Sequence, residues 1–128
     1  MSESPKTTWI YFCPSIAWAF FIAVICLLPS HSLPKAHFQS EDLVVHLISY
    51  AVFACTIAYG YFKNPQIVMN TTKTFVFLAL FGLMIEMLQY ALPVNRQFSL
   101  SDFFFNALGG TIIYAQKNLN RIFIKLNL

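Results

Sequence analysis

IYFCPSIAWAFFIAVICLL, residues 10–28, is the stretch that decides the fold class. At about 1.5 Å per residue a helix of this run reaches about 28 Å, close to the thickness of a bilayer core. Pro14 falls in its first turns, where a missing N–H is tolerated. A secretory signal peptide is the rival reading, with Lys6 as the positively charged n-region. The apolar run is long for that role, and Leu28-Pro29-Ser30-His31 lacks a small-x-small cleavage site. The segment therefore reads as an uncleaved membrane helix that also serves for targeting.

Three further apolar runs follow. The second, Leu43–Phe62, is interrupted by His46; the third, Thr74–Leu92, contains Glu86 and Gln89; the fourth, about Leu100–Gln116, is shorter. Ser99-Leu100-Ser101-Asp102 is a capping pattern that marks the start of the last one. The runs are joined by short connections holding Pro29 and Pro34, then Asn64-Pro65, then Pro93 and Asn95. Composition agrees with a lipid solvent. Hydrophobic residues make up 58% of the 128 residues and charged residues 10%, where a soluble domain carries roughly 25% charged. The expectation is a single all-α membrane domain over residues 1–128. It has four transmembrane helices (about 10–28, 43–62, 74–92 and 100–116) in a compact bundle.

The basic residues set an orientation. With the N-terminus inside, Lys6, Lys63, Lys73, Lys117, Arg121 and Lys125 fall on the inner side and only Lys35 and Arg96 on the outer, a positive-inside bias that puts both termini in the cytoplasm. Trp9, Tyr11, Tyr59, Tyr61 and Tyr114 then gather at the inner interface. The tail beyond Lys117 places Leu119, Ile122, Phe123 and Leu126 at helical spacing beside Arg121 and Lys125. It is a basic amphipathic segment that either extends the fourth helix or lies along the membrane surface. The net charge of +3 is dispersed along the inner edge, as attraction to anionic lipid requires, and gives no support to nucleic-acid binding. Cys13, Cys26 and Cys55 lie in apolar runs without a C-x-x-C pair and read as small buried hydrophobes.

The polar residues of the apolar runs fall in the outer half. His46 and Tyr50 are i, i+4; Glu86, Gln89 and Tyr90 are i, i+3, i+4; Asp102, Asn106 and Gly110 are i, i+4, i+8. Each helix thus offers one polar stripe that lipid cannot accept. Turning the three inward builds one polar pocket open to the outer face. Glu41 and Asp42 precede the second run, and Arg96 and Ser99 lie in the outer loop before the fourth. A faint internal echo, Asp42 to His46 and Asp102 to Asn106, raises two similar hairpins related by an axis along the membrane normal. Gly109-Gly110 would let a neighbouring backbone approach closely.

These residues resemble the VanZ-like family of small membrane proteins. The resemblance rests on Asp42-Leu43-Val44-Val45-His46 with Tyr50, then Ile85-Glu86-Met87-Leu88-Gln89. It continues with Arg96-Gln97-Phe98-Ser99-Leu100-Ser101-Asp102 and Asn106-Ala107-Leu108-Gly109-Gly110, and spans roughly residues 29–116. Where the family often shows Asp-Lys, this chain has Asp42-Leu43. The resemblance implies a cell-envelope membrane protein, and the namesake is associated with resistance to teicoplanin.

Asp42, His46, Tyr50, Glu86, Gln89, Arg96, Ser99, Asp102 and Asn106 are thus the candidate ligand-binding set, with Glu86 and His46 the candidates for acid/base chemistry. Glu86 is either such a group or a structural partner for Arg96 or His46. Arg96 and Asp102 are expected to pair and close the loop, ahead of a dedicated phosphate site. His46, Glu86 and Asp102 have metal-ligand chemistry, but without a fourth ligand or a close-spaced motif no metal is expected, and no cofactor. His31 and His37 read as solvated loop residues. Three functions follow: a binding protein for a lipid headgroup, a lipid-linked precursor or an amphiphilic glycopeptide antibiotic; an intramembrane enzyme acting on a lipid-linked substrate; and a helix-packing or assembly partner.

Overall fold

The computed structural model describes residues 6–32 and 39–128, and all regular structure among them is helical. Pro34, Lys35 and His37 lie outside the described residues, as does the side chain of Glu41. A 3₁₀ turn, Trp9–Phe12, leads into α1, Cys13–Leu27, with Pro14 in the first turn as expected. Helix α2 runs Gln39–Phe62, one turn longer than the apolar run, so Asp42 is helical and does not merely precede the helix. Helix α3 runs Thr71–Ala91 and is capped by Asn70, whose side chain accepts from the Lys73 N–H at 2.9 Å. Helix α4 runs Leu100–Gly110 behind the Ser99 cap that the sequence marks, and α5 runs Gln116–Lys125.

Three helical segments are long and apolar enough to cross a membrane: Trp9–Leu27, Asp42–Phe62 and Thr71–Ala91. Only 11% of the apolar window of the first is buried inside the protein. Phe20, Val45, Ile48, Leu80, Met87 and Phe104 are likewise more than half exposed. Large apolar side chains exposed on α1, α2, α3 and α4 alike are compatible with embedding in lipid. The fourth apolar run behaves differently. Its α-helix stops at Gly110, and Thr111–Ala115 tighten into a 3₁₀ segment before α5. Two glycines followed by β-branched Thr111, Ile112 and Ile113 are the poorest helix formers in the run. The tail is therefore a separate helix. Leu119 is buried, and the Phe123 ring packs at 5.6 Å on both Tyr59 and Phe62, so α5 folds back onto the end of α2.

Helix α2 packs against α1, α4 and α5, while α3 packs against α1 and α4. The sequential neighbours α2 and α3 consequently stand across the bundle from each other. Aromatic rings fill the space between them: Phe53 lies 5.3 Å from Phe81 and 6.3 Å from Phe77, and Tyr50 lies 6.4 Å from Phe81. This order does not fit two hairpins related by an axis along the membrane normal. Such an axis would set α1 opposite α3 and α2 opposite α4, and these pairs are neighbours instead.

The two ends of the bundle differ in chemistry. At one, Tyr11, Phe12, Tyr59, Tyr61, Phe62 and Phe123 pack together, and the Lys63 ammonium sits 5.8 Å over the rings of Tyr11 and Tyr59. Asn64, wholly buried, ties this end: its Oδ1 accepts from the Thr8 N–H at 2.7 Å, and its amide donates to the carbonyls of Gly60 and Thr8 at 2.8 and 3.2 Å. Trp9 and Tyr114, assigned to the same cluster by sequence, stay largely exposed. The opposite end holds Asp42, Glu86 and Asp102, with His46 and Arg96.

The two central glycines are not equivalent. A Cβ on Gly109 would collide with the carbonyl oxygen of Leu47 and lie 3.1 Å from the Ala51 nitrogen, whereas one on Gly110 would meet Leu78 at an ordinary 3.4 Å. Gly109→Ala is expected to destabilise the protein by about 1–3 kcal/mol through overpacking, and Gly110→Ala to leave stability nearly unchanged. Unfolding of the two purified variants in mixed micelles checks this. Equal behaviour would show that α4 does not lie on the α2 backbone.

Candidate functional site

The polar end is assembled from one turn each of α2, α3 and α4. Asp42 and His46 lie one helical turn apart on α2, and Tyr50 follows on the same face. The Gly109 contact brings α4 against that face. His46 is 7% exposed and its Nδ1 lies 2.9 Å from Asn106 Oδ1, which is itself buried. An amide oxygen only accepts, so Nδ1 carries the proton and donates. The other ring nitrogen, Nε2, faces Asp102 Oδ2 at 3.5 Å.

Helix α3 contributes Glu86, with no solvent exposure. Its Oε2 accepts the backbone N–H of Ser99 at 3.2 Å, and the Ser99 hydroxyl accepts the N–H of Asp102 at 3.2 Å. One residue at the start of α4 thereby links the Glu86 carboxyl to the turn that carries Asp102. Oε1 of Glu86 and the hydroxyl of Tyr50 have no hydrogen-bond partner among the described residues. Gly82, one turn before Glu86, makes room here. A Cβ at Gly82 would lie 3.3 Å from the Tyr50 hydroxyl and from the Asn106 amide nitrogen, so both groups pack over this glycine.

The structure brings Asp42, His46, Asp102 and Asn106 together, sets Glu86 and Ser99 beside them, and lays Tyr50 beneath. It separates two members of the expected set. Gln89 donates to the carbonyl of Cys26 at 2.7 Å, one of the last four carbonyls of α1 that lack an intrahelical partner. It ties α3 to α1 rather than facing His46. Arg96 is half-buried in the loop and forms no ion pair with Asp102, whose carboxylate turns to His46 instead. The loop is closed by Val94, whose N–H reaches the Leu92 carbonyl at 2.8 Å, and by Asn95 at φ 55°, a left-handed conformation that asparagine tolerates.

Nor do these residues line an open polar pocket. The groove at this end, about 350 Å³, is lined by the apolar side of Met87, Tyr90, Ala91 and Phe98. Glu86, Asn106 and Tyr50 belong to a packed interior, and only Asp42 and part of Asp102 reach the mouth. Sequence reading passed over Gly82, although it is the one small residue on the Glu86 face between bulky neighbours. It also took Asn64 for a simple turn residue.

Asn106 is the hinge of this network. Asn106→Ala leaves a buried imidazole N–H without its acceptor and is expected to lower stability by about 1–3 kcal/mol. Ser101→Ala, on the exposed side of the same helix, is expected to change little; equal shifts in reversible unfolding would show that His46 finds another acceptor. No protein-family model, curated protein or solved structure matches this chain, so its functional reading rests on the geometry of this site.

Proposed function

We propose that the chain is a four-span protein of the cell membrane whose outer polar end binds the headgroup of a membrane amphiphile. Helix α4 and its 3₁₀ continuation, 11 and 5 residues long, reach about 26 Å at ordinary helical rises, enough for a fourth crossing. The positive-inside bias then sets both termini and the aromatic, Lys63-bearing end in the cytoplasm and the Glu86 end outside.

The observation that carries the binding reading is the pair of unpartnered polar atoms, Glu86 Oε1 and the Tyr50 hydroxyl, buried at the end of an apolar bundle. Each such group costs about 1–3 kcal/mol when left unmade, and ionisable groups held in membranes usually serve function. A hydroxyl or ammonium donor on a ligand admitted past Asp42 and Asp102, the open edge of this packed cluster, would satisfy both. Arg96, half-buried in the adjoining loop, supplies a cation for a phosphate or carboxylate on the same headgroup. The apolar groove beside Phe98 suits the attached chain. Phospholipids, lipid-linked sugar carriers and amphiphilic glycopeptide antibiotics share this chemistry, and the VanZ-like resemblance points to the last.

Native mass spectrometry of the detergent-purified protein tests the reading. A discrete amphiphile is expected on the wild type and lost or weakened in Glu86→Gln and Tyr50→Phe. Bare protein in all three samples, equally stable, overturns it. Orientation is checked separately by reporter fusions: one placed at Arg96 is expected to report the outer side and one after Lys125 the cytoplasm. A cytoplasmic signal at Arg96 would reverse the topology.

A further inference from the structure

We propose that Asp42, His46 and Asp102 form a binding site for a divalent transition-metal ion of the zinc class. Their ligand atoms all lie within 4.8 Å of one another. The sequence reading set Glu86 beside His46 and Asp102 and found no complete ligand set. The fold replaces Glu86 with Asp42, which shares the His46 face one turn earlier.

Four features favour an ion over a simple His46–Asp102 pair. The first is distance. A hydrogen bond from an imidazole nitrogen to a carboxylate spans about 2.7–3.2 Å, and Nε2 to Oδ2 is 3.5 Å. Two ligands of a tetrahedral ion, each about 2.1 Å from it, stand about 3.4 Å apart. The second is the tautomer. Asn106 takes the Nδ1 proton, which leaves the Nε2 lone pair directed at Asp102. An outer partner on the far nitrogen is the usual arrangement behind a metal-bound histidine.

The third feature lies outside the triad. Glu86 is wholly buried, keeps Oε1 unpartnered, and lies within electrostatic reach of His46, Asp102 and Arg96. Its other oxygen hangs on Ser99, the residue that caps the Asp102 turn. The fourth is charge. Asp42 and Asp102 set two carboxyl groups against one imidazole, an acid-rich donor set that a divalent ion matches. Three protein ligands with one at the mouth leave a position for water or for an oxygen of a bound molecule, as in open zinc sites. The site stands apart from headgroup binding, because metal uptake is read with no lipid present.

The test uses the full, tag-free chain in detergent, stripped with chelator and titrated with Co²⁺, followed by visible absorption and displaced by Zn²⁺. One Co²⁺ per chain with a tetrahedral spectrum is expected. Asp42 is exposed, so Asp42→Asn is the variant expected to fold normally. It should weaken binding by more than about tenfold, the least that loss of even an outer-shell partner causes. His46→Gln and Asp102→Asn should abolish the spectrum, and His31→Gln should leave it unchanged. A wild type that takes up no Co²⁺, an Asp42→Asn variant that binds like wild type, or loss of binding in His31→Gln would each overturn the site.

Discussion

The approach of α4 to the backbone of α2 at Gly109 is the contact on which the rest of this molecule depends. Only a residue without Cβ can sit against the Leu47 carbonyl, and small residues are the ordinary means by which helices meet where no hydrophobic force drives them together. From that contact, α4 rises one turn to Asn106 and a second to Asp102. Both reach the face of α2 that carries His46. A larger side chain at the crossing would move the two helices apart, and the 2.9 Å bond between His46 and Asn106 would be lost with it.

Lipid as the solvent explains how the remaining polar groups are disposed. A backbone or side-chain polar atom in hydrocarbon has no water to turn to, so each must find a partner within the bundle. Gln89 does so by capping the end of α1, Ser99 by joining Glu86 to the first turn of α4, and Asn64 by fastening the N-terminal turn to the end of α2. Four buried groups among the described residues do not, Ser15 Oγ, Asn120 Oδ1, Glu86 Oε1 and the Tyr50 hydroxyl, and the last two belong to the helices that build the polar end. The groups at the other end are aromatic rings around one lysine, an arrangement that suits a membrane interface.

Geometry also separates the roles within the polar end. Asn106 positions the imidazole without facing the mouth. Asp42 and Asp102 present oxygens where an ion or a headgroup can arrive, and Glu86 stands behind them. Arg96 is left uncommitted by the Asp102 carboxylate. The cluster draws its residues from three helices, and only its Asp42 and Asp102 edge opens to the surface.

Much of this was legible in the chain itself. The apolar runs around residues 10–28, 43–62 and 74–92 became helices within a turn of those bounds, long and apolar enough to cross a membrane, and Ser99 capped α4 as its spacing indicated. The inward polar stripes were legible because a period of 3.6 residues sets which side chains share a face. That same period says nothing about which neighbour a face will meet. The tertiary structure alone decided that α2 and α3 stand across the bundle, that Asp102 meets His46 rather than Arg96, and that Glu86 hangs on a backbone amide. It alone showed Asp42 within α2 itself, with its carboxyl among the His46 and Asp102 ligand atoms. Those choices follow from how each helix is rotated and how closely two backbones can pack, which depend on contacts between residues far apart in sequence.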